Sequence, residues 1–253
     1  MPRTVQLLVV SALLGAAARP STAQEGAGAI PADGLVACYP FNGNAEDAGG
    51  EGYHGRVEGA SPTTDRFGTA DAAYLFDGQD DQIVVDPPPP LRREALSVSL
   101  WAQFDTAYTG PTWWDEGAQW HHPMLSMDDG IAIRLFSLML TDDDKICWHR
   151  LFQYTSLWCK WGVTGNRWYH IAVVWDGEEQ THSLYVDGVL EHEGEGRLNM
   201  TRDVPLHIGS KGELGKQTVF FQGCLDDIRL YNHALSAEEV LALYGEGGWQ
   251  GVD

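Results

Sequence analysis

Glu191, Glu193 and Glu195 alternate with other residues in the run EHEGEGR, the spacing that places side chains along one face of a strand. Paired carboxylates a few ångströms apart are what glycosidic-bond cleavage requires, one acting as acid and the other as base or nucleophile. The same run also suits a solvated sheet edge, whose charges deter pairing with another chain. That second use is the preferred one. Asp176, Glu178 and Glu179 fall in a turn, and the chain carries no G-x-S-x-G elbow, phosphate-binding loop or H-E-x-x-H pair. A protein that binds without performing a reaction is therefore expected.

Binding chemistry is suggested by the tryptophans, of which there are ten. Trp113, Trp114 and Trp120 lie in TAYTGPTWWDEGAQWHH, a stretch with no apolar periodicity that reads as a loop between strands. Trp148, Trp158 and Trp161 surround Cys147 and Cys159. Flat rings beside carboxylates and amides can stack on pyranose faces while the polar groups take the hydroxyls. Such rings can equally fold back as a satellite core under a long loop. Contact with another extracellular protein is a third use, since tryptophan anchors many interfaces.

Calcium wants several oxygen ligands on flexible loops. The candidate donors are Asp47 in a Gly- and Asn-rich loop, Asp80 and Asp81 in DGQDD, and Asp226 in GCLDDIRLYN. Simple alternation puts Asp226 on the same face as Ile228 and Leu230, where a carboxylate needs a metal, a cation or several N–H partners. Asp77 and Asp187 read as turn residues.

The elements that position these groups are strands. WYHIAVVW alternates so that Tyr169, Ile171, Val173 and Trp175 share one face, and SVSLWAQF does the same with Val98, Leu100 and Ala102. Asp176-Gly177 and Asp187-Gly188 mark tight turns on either side of HSLYV. LVACYPF, MLSM, IAIRLFSLML, VPLHIGS and GCLDDIRLYN are further strands, and Pro87 to Pro90 bars a central strand there. Ser236 to Glu239 forms a capping box ahead of a short helix through VLALY.

Residues 1–23 have the features of a secretory signal: Arg3, an apolar run too short to span a bilayer, and Ser21-Thr22-Ala23 before the cut. Residues 24–33 are a flexible lead-in, 34–245 one domain and 246–253 a tail. The chain has 36 acidic and 16 basic residues, a net charge of −20, which becomes about −22 once Arg3 and Arg19 leave with the signal. This surface repels nucleic acid and anionic membranes, so the expected partner is an extracellular glycan or another extracellular protein. No membrane insertion is expected, and the oligomeric state is open. Cys38, Cys147, Cys159 and Cys224 allow three pairings in an oxidising compartment. Asn199-Met200-Thr201 is a glycosylation sequon.

Four stretches carry a family resemblance: YPFNGNAEDAGGEGYHGRV, AYLFDG with the following D-x-I-x-V pattern, WYHIAVVWDG with LYVDG, and GCLDDIRLYNHALSAEEV. Together they resemble the laminin G-like jelly rolls of the concanavalin A-like lectin and glucanase superfamily, over Leu35 to Tyr244. The resemblance implies an all-β fold, a two-sheet antiparallel β-sandwich with a short C-terminal helix. It implies a Cys38–Cys224 disulfide, since the first and last strands of such folds lie side by side, with Cys147–Cys159 as a local staple. It also implies structural calcium, as in many relatives. The hydrolases of the superfamily carry an E-x-D-x-x-E strand that this chain lacks. A secreted carbohydrate-binding module is the first expectation, with an adhesive or assembly subunit as the alternative and a hydrolase or lyase behind both.

Overall fold

A computed structural model describes residues 29–105, 113–115, 118–128, 134–141, 143–149, 157–198, 204–211 and 218–251, with backbone alone for 113–115, 118–121, 128 and 134. The signal, the first half of the lead-in and Asn199 lie outside the described residues.

The chain enters on β1 (Leu35–Tyr39), β2 (Arg56–Glu58), β3 (Ser61–Thr63), β4 (Ala73–Asp77) and β5 (Gln82–Val85). The middle is built from β6 (Ala95–Phe104), β7 (Trp113–Asp115), β8 (Ala118–Asp128), β9 (Arg134–Thr141), β10 (Ile146–His149) and β11 (Leu157–Trp158). Then come β12 (Trp168–Asp176), β13 (Thr181–Val186), β14 (Val189–Glu195), β15 (Leu206–Ile208), β16 (Ser210–Lys211), β17 (Val219–Phe220) and β18 (Gln222–Tyr231). The helix α1 (Ala237–Tyr244) follows.

Two large antiparallel sheets result, with β16 and β17 paired apart from them. One runs β14-β13-β12-β6-β18-β4-β3 with β1 beside β18, and the other β11-β10-β9-β8-β15-β5-β2 with β7 beside β8. Their facing sides hold the main core, in which Val98, Leu100 and Ala102 meet Tyr169, Ile171, Val173 and Trp175. Strict alternation explains this, because successive side chains point to opposite faces. The opposite row of β12, Ala172 and Val174, is covered by Val240 and Leu243 of α1. Ser236 caps that helix with a full capping box, its side chain accepting from Glu239 N and its own N–H donating to the Glu239 carboxylate.

The two Asp-Gly pairs differ. Asp187 (φ 51°) and Gly188 (φ 74°) are both left-handed, the geometry of a two-residue turn that matches the strand twist. Asp176-Gly177 instead opens a longer turn in which Gln180 takes the positive φ (56°). Gly177 is needed there for space, since a Cβ would stand 2.5 Å from the Glu94 carbonyl oxygen. Residues 113–122, expected as loop, include a hairpin: Trp113 pairs with Trp120, Trp114 with Gln119 and Asp115 with Ala118.

Candidate functional site

The six tryptophans proposed for binding separate. Trp148 is fully buried and stacks on Phe136, with ring centres 4.7 Å apart and planes at 23°. It is a core residue, which corrects the expectation that it grips a ligand. Trp158 and Trp161 are exposed, at 46% and 37% of their surface. Register explains the split. Trp148 pairs with Leu157 and Cys147 with Trp158 across β10 and β11, so the first pair points inward and the second outward. Trp113 and Trp120 form one register pair and Trp114 belongs to the next; their side chains lie outside the described residues.

The exposed pair sits where the two sheets meet at one end. The edge strand β11 lies against β14, and the Trp158 ring meets His192 edge-on at 6.0 Å and 72°. Trp161 rests 5.8 Å from Tyr169. The Tyr169 hydroxyl accepts from Thr164 N at 2.9 Å, and its ring is covered by Arg167, which pairs with Asp187 at 2.5 Å. Glu191 is close enough to add to the burial that pushes up the Cys159 thiol. Each exposed ring thus lies beside polar groups, Trp158 beside His192 and Trp161 beside the Tyr169–Arg167–Asp187 set. Of the carboxylates in EHEGEGR, Glu193 points to the other side of β14, where it accepts from Ser183 Oγ at 3.3 Å.

No disulfide joins the four cysteines. Cys38 pairs with Arg229, and Cys224 lies five residues earlier on β18, a separation on the order of 16 Å at about 3.3 Å per residue. A bridge tolerates no more than roughly 7 Å between Cα atoms. The first and last strands are neighbours as expected, but the register between them puts the cysteines out of reach. Cys147 and Cys159 are close in the hairpin yet point to opposite faces, Cys147 toward Met139 and Val219 and Cys159 into the main core. Burial pushes the Cys224 thiol up to about 11.

The four carboxylates assigned to calcium are likewise dispersed. Asp47 accepts from the backbone N–H groups of Cys38, Gly49, Gly52 and Tyr53 at 2.8–3.3 Å, which makes it the organiser of the first loop. Asp80 and Asp81 come together with Asp77, their carboxylate oxygens all within 4.8 Å of one another. This set fits a hard, oxygen-seeking cation. Burial, with Asp77 and Asp80 adding to it, raises the Asp81 carboxyl. Asp77 closes the turn, as its position after β4 leads one to expect, its N–H donating to Asp81 Oδ2 and its Oδ1 accepting from Gln79 N.

Asp226 departs most from expectation. A bulge between Asp226 and Arg229, with Asp227 at φ 45°, adds one residue to β18 and reverses its parity. Leu225, Ile228 and Leu230 therefore all face the core, whereas Asp226 pairs with Trp101 on the outer side. Its partner there is a cation. Arg66 reaches Asp226 at 2.7 Å and Asp227 at 2.8 Å, with its own side chain 1% exposed. The guanidinium lies 4.4 Å from both the Phe67 and Trp101 ring centres. Arg229 extends the network to Glu246 at 2.7 Å, and Trp249 packs edge-on against Trp101 at 5.2 Å. Sequence reasoning missed Arg66; the signal was Asp226-Asp227 inside a strand, two carboxylates that demand a buried cation.

This network gives a pH signature. Burial, reinforced by Asp227 and opposed by Arg66, pushes the Asp226 carboxyl up to about 8. A carboxyl raised in the folded state favours folding when protonated, so its contribution is lost as pH rises from about 4 toward about 8. His170 works in the opposite direction. Buried under Trp101 and close to Arg66 and Arg229, it is pushed down to about 3. The folded state thus resists its protonation, and stability rises with pH up to about 6.5. The two slopes oppose each other below pH 6.5 and only the Asp226 slope remains above it. Denaturant unfolding is expected to show stability falling between pH 6.5 and 8, by at most about 1.4 kcal/mol per pH unit. The fall should be absent in Asp226→Asn; an unchanged decline in that variant would assign it elsewhere.

Among the described residues, no helix is long and apolar enough to cross a membrane. Domain 4 of AbnA, a GH43 extracellular arabinanase from Geobacillus stearothermophilus solved in complex with arabinotriose, superposes with a TM-score of 0.61 at 18% identity, over 83% of this chain and 98% of that one. The binding domain of botulinum neurotoxin serotype D superposes with a TM-score of 0.62 at 16% identity, over 85% of this chain and 52% of that one. The ligand-binding domain of the same serotype, in complex with N-acetylneuraminic acid, gives 0.61 at 16% over the same shares. This chain spans about half the length of those neurotoxin domains, and at such identities the likeness is one of fold. No curated protein matches the sequence. The family profile Laminin G 3, described as "Concanavalin A-like lectin/glucanases superfamily", matches residues 77–241. With well over half its length matched, and with the paired antiparallel sheets that the profile implies, the chain belongs to the concanavalin A-like lectin/glucanases superfamily.

Proposed function

We propose that the protein is an exported, non-catalytic module that binds an extracellular carbohydrate through the corner formed by Trp158 and Trp161. The observation that carries this is their exposure, at 46% and 37%, in a fold that buries Trp101, Trp148, Trp168 and Trp175. Two exposed indole rings close together in the chain make an apolar surface of the kind that marks a binding site. Three residues apart, their Cα atoms lie no more than about 10 Å from each other, within reach of one sugar chain. His192, Glu191 and Lys160 are beside them for hydroxyl contacts. The fold is put to such use in its neighbours, the arabinanase domain holding arabinotriose and the neurotoxin domain N-acetylneuraminic acid. Calcium has a structural place in this proposal, held by Asp77, Asp80 and Asp81 beside the β4–β5 turn.

Isothermal titration against a panel of plant, microbial and animal polysaccharides tests the proposal. Trp158→Ala and Trp161→Ala are each expected to weaken binding about tenfold, equivalent to about 1.4 kcal/mol, without changing the unfolding midpoint. Unchanged affinity in the double variant would overturn the site. A protein-binding use is favoured by one observation: Val189 and Leu190, on the edge strand β14, are 59% and 45% exposed. Concentration-dependent assembly on size exclusion, lost in Leu190→Lys and unaccompanied by sugar affinity, would select it. Hydrolysis or lysis of any panel member, abolished by Glu193→Gln, would instead revive a catalytic role.

A further inference from the structure

Trp161 lies in a bend beyond the end of β11, so no ladder of strand hydrogen bonds aims its indole. What the indole rests on is the Tyr169 ring, 5.8 Å away with the planes at 36°. That ring is fixed: Tyr169 belongs to the core row of β12, lies 6.0 Å from Phe104, and accepts from Thr164 N at 2.9 Å through its hydroxyl. Arg167 covers the same ring, its guanidinium carbon 4.7 Å from the ring centre. We propose that Arg167 is a positioning residue for Trp161, closing the Tyr169 ring against movement and so holding the indole in the orientation a ligand meets. This role presupposes that the tryptophan corner is the carbohydrate site proposed above.

Spacing puts the guanidinium there. Arg167 and Tyr169 are two residues apart at the entry to β12, so alternation sends both side chains to one side. The guanidinium is held in turn, its Nη2 donating to Asp187 Oδ2 at 2.5 Å. Asp187 is itself tied to β12: its Oδ1 accepts from His170 N at 3.0 Å, and its N–H donates to His170 O at 2.8 Å. It also begins the two-residue turn between β13 and β14, at φ 51°. The hairpin therefore presents its carboxylate at a fixed point.

The Arg167 and Asp187 side chains are 40% and 15% exposed, and an ion pair that open to water contributes little to folding. Its geometric effect is larger, since it fixes a planar cation over an aromatic face. A side chain that must be immobilised when a ligand arrives weakens binding by about two- to tenfold. A ring already held in place escapes that loss. Arg167 has little left to offer a ligand directly, with Nη2 given to Asp187 and Nε buried.

Isothermal titration with linear arabinan, laminarin, galactomannan and hyaluronan tests this in Arg167→Ala, Trp161→Ala and the double variant. Arg167→Ala is expected to weaken whichever of these the parent binds by about two- to tenfold. In the Trp161→Ala background the same change should do nothing further, which a double-mutant cycle reads directly. The Trp161 indole N–H, followed by its NMR order parameter with no polysaccharide present, should become more mobile in Arg167→Ala. Arg167→Lys keeps the stem and the charge without the planar group, so it should lose less affinity, and it replaces the alanine variant if that one folds poorly. Parent affinity in Arg167→Ala, or an indole as rigid as the parent's, overturns the proposal. So does an equal loss with and without the Trp161 ring, because Arg167 would then touch the polysaccharide itself. If Trp161→Ala binds as the parent does, or the parent binds none of the four, the corner itself fails and the role of Arg167 falls with it.

Discussion

Replacement of Arg66 by alanine is expected to lower the unfolding free energy by about 3–5 kcal/mol, the cost of leaving a buried charge without its partner. The magnitude follows from position. The Arg66 and Asp226 side chains are 1% and 3% exposed, so neither carboxylate solvation nor salt can replace the lost contact. Two carboxylates share the guanidinium, and Asp226 escapes by taking a proton, which limits the loss at acid pH and enlarges it at alkaline pH. The variant should therefore be more sensitive to alkali than the parent. Arg66→Lys should recover only part of the loss. An ammonium restores the charge but cannot bridge two carboxylates in a planar fork or lie between the Phe67 and Trp101 rings. The Arg56–Glu58 pair, whose side chains are 68% and 34% exposed, is the control, and its removal should leave stability unchanged within error. Urea unfolding at pH 6 and pH 8 measures all four proteins. A loss under about 1 kcal/mol for Arg66→Ala would show that the contact of Arg66 with Asp226 and Asp227 is not what stabilises this side of the sheet.

The contrast between Arg66 and the strands shows what the sequence makes legible. Tyr169, Ile171, Val173 and Trp175 were assigned to one face by alternation and lie together in the core, because a period of two is a local property that burial enforces along the whole strand. Asp187-Gly188 and the Ser236 capping box were readable for a similar reason, each fixed by a few consecutive residues. Asp226 was misplaced because a single bulge residue, Asp227, leaves no mark in a polar–apolar pattern yet turns every later side chain to the other face. The partner of Asp226 is 160 residues away in sequence, at Arg66, and only the register of β4, β18 and β6 brings the two together. The cysteines fail for the same cause. That β1 and β18 are neighbours is a property of the topology, whereas a disulfide depends on the register, and the register sets Cys38 against Arg229. Of the candidate binding site, the sequence points to Trp158 and Trp161 together with Trp148, and nothing local separates them.

That separation can be measured. Trp148→Ala is expected to cost about 3–5 kcal/mol of stability, the range for truncating a large buried aromatic, and to leave sugar binding at the corner unchanged in the folded fraction. Trp158→Ala should do the reverse. Trp148→Phe is the sharper variant. The Trp148 Nε1–H is buried with no acceptor among the described residues, so the indole carries the cost of a desolvated donor into the core. Phenylalanine removes that donor along with part of the ring volume, and keeps an aromatic face against Phe136. The two changes oppose each other, and the net loss should be less than half that of Trp148→Ala. Equal losses for the two variants would mean that Nε1 has a partner, and that Trp148 is held by a specific polar contact as well as by packing. Differential scanning calorimetry reads the outcome as a shift in midpoint, about 2–4 °C per kcal/mol for a chain of this size. Trp148→Ala should then unfold some 6–20 °C below the parent, with Trp148→Phe less than half as far down and Trp158→Ala superimposable on the parent. A stability loss in Trp158→Ala as large as that in Trp148→Ala would make the outer ring part of the core after all, and would remove the tryptophan corner as a place where a sugar binds.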